Sequence, residues 1–372
     1  MATARDADRP TSSGWNFGFL GFWVSVPWNA LIGIIVIAVL WYPEFAGTLG
    51  TAGTWLLAAI FAVLLMVSVL IHEMAHAVAA RGFGYHVTGI TLWAMGGFTT
   101  YRTSDKHGPA REAAIAAAGP VSTLAIAAVA AVLARAAAPD TVFSQILWAV
   151  AAANALIGIF NLLPGSPLDG GAIVKSVVWG ITGSEFRGQV TAAWIGRALA
   201  VLLAITPFAI AYSTGTQPSL PAILIALILA VILWTGASGA LKSAEANRTL
   251  QHLTAAELAK PVAPVRDLQP LRAFLPLVQQ GYLLVVLDTQ NQPRGVVSNA
   301  AASAVPEAEQ DRVTAMDLAT RVESIPAVAA ADTAVDVLRV CQENRARFVS
   351  VIDAGQPSGL IDTDAVFIAE GP

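Results

Sequence analysis

Up to Leu241 the chain is dominated by long unbroken apolar runs; beyond it, apolar residues fall into short clusters between charged ones. Six runs approach the roughly 20 residues that cross a bilayer core as a helix: about Val26–Trp41, Trp55–Arg81, Ala113–Ala136, Phe143–Leu163, Gln189–Tyr212 and Leu220–Leu241. The first is short, and Phe22–Val24 is its natural extension. Between the second and third lies Tyr85–Arg102, YHVTGITLWAMGGFTTYR, rich in β-branched and aromatic residues. That pattern predicts a membrane-surface hairpin with its turn at Gly96-Gly97. After the fourth run, Pro164, Pro167 and several glycines break the helix at membrane depth, and Ala172–Thr182 reads as a short helix.

The composition agrees with a membrane protein: 56% of the 372 residues are hydrophobic and only 12% are charged, with a net charge of −4 and no basic arm for nucleic acid. A single cysteine, Cys341, excludes an intramolecular disulfide. Residues 1–16 read as a disordered tail, since Asp6 and Asp8 dilute the basic character a signal peptide needs. Arg81, Arg102, Lys106 and Arg111 flank the link between spans two and three; Lys175, Arg187, Lys242 and Arg248 fall on the same side, against Arg135 opposite. This asymmetry predicts cytoplasmic termini and a second span that runs inward. Arg197, within the fifth span, reads as a structural residue that snorkels toward the interface.

The second span carries the candidate chemistry. His72, Glu73 and His76 form H-E-x-x-H near its end. On a helix the two histidines share one face and can bind one metal ion, while Glu73 sits beside them to take a proton from water. A carboxylate in an apolar span is too costly to persist without a partner or a function. Catalytic zinc takes three protein ligands. The other histidines, His86, His107 and His252, lack ligand spacing, so Asp169 in Asn161–Gly171, NLLPGSPLDGG, is the best third ligand. A metal transporter or a catalytically inactive scaffold are the rival readings. The transporter leaves Glu73 and the N-x-x-P…D-G turn without a role; an inactive scaffold predicts a lost ligand, and all four residues are present.

H-E-x-x-H on one span and N-x-x-P-x-x-P-L-D-G after a later one resemble the site-2 protease family of intramembrane zinc metalloproteases, over roughly residues 20–245. The resemblance implies one zinc per chain on His72, His76 and Asp169, Glu73 as catalytic base, and Asn161 as the active-site asparagine that helps hold substrate or the oxyanion. Gly119 and Pro120 resemble the start of the family's G-P-x-x-N element, with Thr123 where asparagine is usual. These two residues, and Gly96 and Gly97 in the hairpin, are candidates for substrate contact. The implied substrate is a single-pass membrane protein, such as an anti-sigma-factor-like regulator, cut within the bilayer near the cytoplasmic face.

The fold class expected is therefore a polytopic α-helical membrane protein, residues 17–245, with about six transmembrane helices and a small membrane-associated β element, followed by a soluble α/β pair. Residues 249–307 and 313–370 look like two copies of one unit: TAAEL at Thr254 answers TAMDL at Thr314, and Tyr282–Ser298 answers Phe348–Asp362. The copies resemble a cystathionine-β-synthase-type (CBS) pair, which implies adenine-nucleotide binding. The residues argue against it. Such sites carry G-h-h-[ST]-x-x-D; after Gly295 and Ser298 comes Ala301, and after Gly359 come Asp362 and Ala365, with Asp364 displaced. Weak or absent ATP binding is expected, with a role in homodimerisation or gating through residues such as Val335, Leu338 and Phe348.

Overall fold

The structure is a computed structural model in which residues 13–47, 49–94, 96–102, 108–139, 141–290, 293–321, 325–344, 346–353 and 356–362 are described. Lys106, His107, Asp364 and Ala365, and the first 12 residues of the tail, lie outside them. The chain divides into two compact units between Ala244 and Glu245.

The first unit begins with two strands, β1 (Gly14–Phe19) and β2 (Phe22–Pro27). The tail reading therefore fails for Gly14–Asn16, which pair with Ser25–Pro27. Phe22–Val24 do not extend a helix either. They belong to β2, which pairs in parallel with β3 (His86–Trp93) through Val24 and Ile90, and β3 pairs with β4 (Gly96–Arg102). The sheet order is β1-β2-β3-β4. Trp93 pairs with Gly96, so the turn lies between them and Gly96-Gly97 open β4 instead of forming it.

The first expected span shrinks accordingly. Helix α1 covers only Ala30–Trp41, followed by a 3-10 turn over Tyr42–Phe45. At 1.5 Å per residue α1 is about 18 Å long, against a bilayer core of about 30 Å. It runs beside the first half of α2 (Thr51–Gly82): Thr54 donates to the Phe45 carbonyl, Trp41 stacks on Phe61, and Ala30 packs with Met66 and Leu92. The sheet flanks the second half of α2, where Val24 and Ile90 pack on Ala77. Five described helices are long and apolar enough to cross a membrane: α2, α3 (Pro109–Ala136), α4 (Val142–Asn161), α6 (Glu185–Thr214) and α7 (Leu220–His252). The short helix α5 (Asp169–Thr182) begins at Asp169.

Exposure in this unit is inverted relative to a water-soluble protein. Leu56, Ile60, Val63 and Val67 on α2, and Ile225, Ile228 and Val231 on α7, face outward, while the core of α2, α3 and α4 is largely Ala58, Ala62, Ala130, Ala149, Ala151 and Ala153. Lipid gives large apolar side chains no reason to turn inward, and small ones let helices approach closely.

The second unit holds two sheets. One, ordered β5-β6-β7-β8, consists of Val262–Arg266, Leu283–Leu287, Pro293–Val297 and Thr320–Arg321; the other, ordered β11-β10-β9, of Gln356–Asp362, Phe348–Asp353 and Ala327–Ala329. Helices α8 (Ala255–Leu258), α9 (Leu271–Gln279), α10 (Asn299–Ser303), α11 (Ala315–Leu318) and α12 (Ala334–Asn344) pack on them. The repeats exchange their opening helices. Ala255 and Ala256 of α8 donate to Asp332 and Ala330, while Ala315 and Met316 of α11 donate to Gln269 and Asp267.

Both opening helices start with a capping box, Thr254 with Glu257 and Thr314 with Asp317. Hydrogen bonds from Thr254, backbone first, hold Glu257 below its ordinary pKa, and those from Thr314, hydroxyl first, do the same for Asp317. Carboxylates so lowered stabilise the fold above their unfolded pKa of about 4 and lose that contribution as pH falls through the folded value. Hydrogen exchange on the full chain should show α8 and α11 opening first on acidification below about pH 4. Glu257→Gln should flatten that dependence at α8, because it removes the group that titrates; an unaltered profile would refute the linkage.

Candidate metal centre

Three helices and one strand converge on the H-E-x-x-H turn of α2. His72, Glu73 and His76 are buried there, at 6%, 7% and 8% exposure. The helix then stops cleanly: Gly84 takes φ +87°, and Tyr85 N–H reaches back to the Ala80 carbonyl, which closes the last turn and sends the chain into β3.

Asp169 arrives from the broken segment after α4. Ser166 N–H donates to the Ala192 carbonyl of α6, pinning that segment from behind. Glycines make the packing possible: a Cβ on Gly196 would fall 2.0 Å from the Ser166 oxygen, and one on Gly171 would fall 2.3 Å from Gly165 and Ser166. Asp169 occupies the first turn of α5, where the helix dipole favours a carboxylate.

The ligand atoms of His72, His76 and Asp169 all lie within 4.8 Å of one another. His72 Nε2 and His76 Nε2 are 3.2 Å apart; Asp169 Oδ2 is 3.1 Å from the first and Oδ1 is 3.4 Å from the second. A tetrahedral ion with bonds of about 2.0–2.1 Å has ligand–ligand edges near 3.3 Å, so this triangle fits zinc.

The opposite ring nitrogens explain the convergence. His76 Nδ1–H donates to the Ile115 carbonyl at 2.8 Å. The Thr123 hydroxyl donates to the Gly119 carbonyl at 3.1 Å, leaving its oxygen to accept from His72 Nδ1–H at 2.8 Å. Both imidazoles are thereby fixed with Nε2 unprotonated and turned inward, as metal ligands require. All these partners lie on α3, which comes close because of Gly119: a Cβ there would sit 2.3 Å from His76 Nε2 and 2.6 Å from His72 Nε2. Gly119 thus borders the ligand cluster itself. Pro120, buried next to it, interrupts the helix hydrogen bonding.

Glu73 turns toward β4. The Thr99 hydroxyl lies 2.8 Å from Glu73 Oε2 and 3.0 Å from its carbonyl, and a Cβ on Gly97 would meet Glu73 Cγ at 2.6 Å. Gly97 therefore lets the edge strand touch the candidate base. A cavity of about 300 Å³ is lined by Ser68, His72, Glu73, Gly96, Gly97, Thr123, Asn154, Asn161 and Asp169, among others. A second, of about 280 Å³, shares Glu73 and Asp169 and extends to His76, Tyr101 and Glu112. The Tyr101 hydroxyl donates to Glu112 at 3.3 Å, and burial, reinforced by the Glu112 charge, raises its pKa, so it stays a neutral donor.

The expected site residues thus gather in one place: His72, His76 and Asp169 as a cluster, with Glu73, Asn161, Gly96, Gly97 and Gly119 around it. Sequence reasoning missed Thr99 and Asn154 altogether. It read Thr123 only as a departure from a motif, whereas the residue anchors an imidazole. The sole signal for Asn154 was an amide inside an apolar run.

Residues 60–139 and 132–205 match the model of peptidase family M50. Rip3 of Mycobacterium tuberculosis is 40% identical over 190 residues, covering 49% of this chain and 48% of that protein, so the chain spans about half the length of this relative. The protein sll0528 of Synechocystis is 26% identical over 91% of this chain and 89% of its own length. The zinc metalloprotease MJ0392 of Methanocaldococcus jannaschii is 30% identical over 145 residues, 39% of this chain and 42% of that one. Among solved structures, the chain is similar to the site-2 protease from Methanocaldococcus jannaschii, with a TM-score of 0.45 and 22% identity over 61% of this chain and 95% of that one. It is also similar to the CBS domain of a bacterial CNNM/CorC family Mg2+ transporter, with a TM-score of 0.26 and 19% identity over 36% of this chain and 86% of that one.

Thr123→Val removes the oxygen that accepts from His72 Nδ1 while keeping the side-chain shape. Zinc affinity, read by competition with a chelator, should fall about 10- to 100-fold with the fold intact. Gly119→Ala should abolish zinc binding, because its Cβ takes the space between the two Nε2 atoms. Wild-type affinity in either variant would refute the geometry.

Proposed function

We propose that the protein, whose residues 60–139 and 132–205 match the model of peptidase family M50, is a zinc-dependent intramembrane endopeptidase. It cuts membrane-spanning segments of other proteins. The observation that carries the proposal is the inward convergence of His72 Nε2, His76 Nε2 and Asp169 beside Glu73, in a cavity bordered by apolar helices and by β4.

His72, His76 and Asp169 hold one zinc ion per chain, which when bound polarises a peptide carbonyl and makes water a nucleophile near neutral pH. Glu73 takes the proton from the attacking water and passes it to the leaving amine. The Thr99 hydroxyl keeps the Glu73 carboxylate aimed into the cavity. Asn161, at the end of α4 and on the cavity wall, donates to the substrate backbone or the developing oxyanion, worth about 3 kcal/mol if well aimed.

A transmembrane helix must unwind before its backbone is accessible. The edge strand β4 provides an extended template for it, and Gly96 and Gly97 leave room beside Glu73. The substrate class is a single-pass membrane protein, such as a regulator of the anti-sigma-factor kind. The lysine and arginine asymmetry puts both termini in the cytoplasm, with α1 and the sheet together accounting for the first crossing. His76 then lies about 9 Å along α2 from its cytoplasmic end at Gly82.

The C-terminal unit is a CBS-type pair that acts in homodimerisation or in gating access, with little affinity for ATP. Asp362, at the hydroxyl position of the nucleotide motif, is buried and already paired with Arg347 at 3.2 Å. Ser298 uses its hydroxyl to accept from Ala301 N–H at the start of α10. Both groups are thus committed within the unit.

Glu73→Gln should keep full zinc content but lose cleavage of a single-pass test protein by about 10²- to 10⁴-fold. Asp169→Asn should lower both zinc occupancy and cleavage. Near-wild-type cleavage by the Glu73 variant would remove the protease assignment; unchanged zinc affinity in the Asp169 variant would remove that residue from the ligand set.

A further inference from the structure

Asn154 sits in the middle of α4, two helical turns before Asn161 on the same face, and both line the cavity that contains His72, Glu73 and Asp169. Asn154 is fully buried, at 0% exposure. Its amide nitrogen donates to the Val150 carbonyl at 2.8 Å. That carbonyl can only accept, so the amide orientation is fixed: Nδ2 faces the helix and Oδ1 faces away. Among the described residues, Oδ1 has no hydrogen-bond partner. The hydroxyls that share its cavity wall are committed elsewhere, Ser68 to the Leu64 carbonyl and Thr123 to the Gly119 carbonyl.

A bare acceptor is a liability inside an apolar bundle, where no bulk water compensates it. Leucine has the same branched arrangement of side-chain heavy atoms and carries no polar atom to leave unpaired. We propose that Asn154 Oδ1 is a substrate-binding acceptor that takes a hydrogen bond from one backbone N–H of the unwound peptide. The inference rests on the endopeptidase reading. Seven residues of α-helix separate Asn154 from Asn161, an axial rise of about 10.5 Å. An extended peptide advances about 3.4 Å per residue. The N–H that Asn154 captures therefore lies about three residues from the bond cleaved beside Asn161. A helical substrate has no such N–H to offer, because its amides are bonded internally, so Asn154 rewards unwinding as well as position.

The test uses the full-length zinc-loaded protein in lipid nanodiscs and a synthetic single-span peptide of about 25 residues. Single backbone amides of the peptide are replaced in turn by esters, which removes one N–H at a time. With the wild type, one ester about three residues from the cleaved bond should lower kcat/KM about tenfold, roughly one hydrogen bond. Asn154→Leu, with unchanged zinc content, should lose a similar factor on the all-amide peptide and be indifferent to that ester. A flat ester profile at that distance in the wild type overturns the proposal without reference to any variant. Multiplying losses from ester and mutation overturn it too, and assign Oδ1 to an enclosed water. If the wild type cleaves no peptide, the same cycle is read as peptide binding on Glu73→Gln. Coupled losses there keep the Asn154 contact while the protease reading falls, and independent losses remove the contact itself.

Discussion

The close approach of α3 to the H-E-x-x-H turn of α2 is the constraint on which the site depends. A ligand pair on one helix face sets where two imidazoles begin, not where they point. Their direction comes from the Thr123 hydroxyl and the Ile115 carbonyl, 51 and 39 residues away along the chain. Those partners reach the imidazoles only because Gly119 removes the side chain that would stand between the helices. Each imidazole is buried, and its second hydrogen bond, to α3, offsets the cost of burying the ring N–H.

The same rule governs the segment that delivers Asp169. Its irregular backbone is tolerated at this depth because it is enclosed by protein: Ser166 N–H is satisfied by the Ala192 carbonyl, and Gly165, Gly171 and Gly196 pack backbone against backbone. Small residues thus have two jobs. As alanines on α2, α3 and α4 they bring helices together, and as glycines around the site they bring main-chain carbonyls within reach of groups that need them.

Much of the site was legible because its chemistry repeats at helical spacing. His72 and His76 four residues apart declare a shared face, and the proline-broken run before Asp169 declares a place where backbone must line a cavity. What the sequence hid were contacts between elements. Thr123 looks like a small polar residue in an alanine-rich helix until His72 is found against it. Thr99 is one of several threonines in a strand until Gly97 brings that strand onto Glu73. The first span misled for a different reason: Phe22–Pro27 is as apolar as a helix end, and its pairing with β1 on one side and, across the whole of α2, with β3 on the other makes it a strand. A short apolar run has no periodicity that separates the two outcomes, and the six-residue antiparallel pairing of β2 with β1 is equally invisible in the pattern.

The C-terminal repeats show the same limit at larger scale. Matching TAAEL with TAMDL correctly identifies two equivalent helices, each with its capping box. It does not tell which sheet each helix serves, because sequence order suggests its own. In the fold each serves the other's: α8 bonds to the loop before α12, and α11 to the loop before α9. Ala255 is fully buried against Val337 and Val349, and Ala315 against Phe274 and Val286. Neither repeat has a complete core without the other's opening helix. The two copies therefore depend on each other for their cores, and loosening either opening helix weakens the packing of the other repeat.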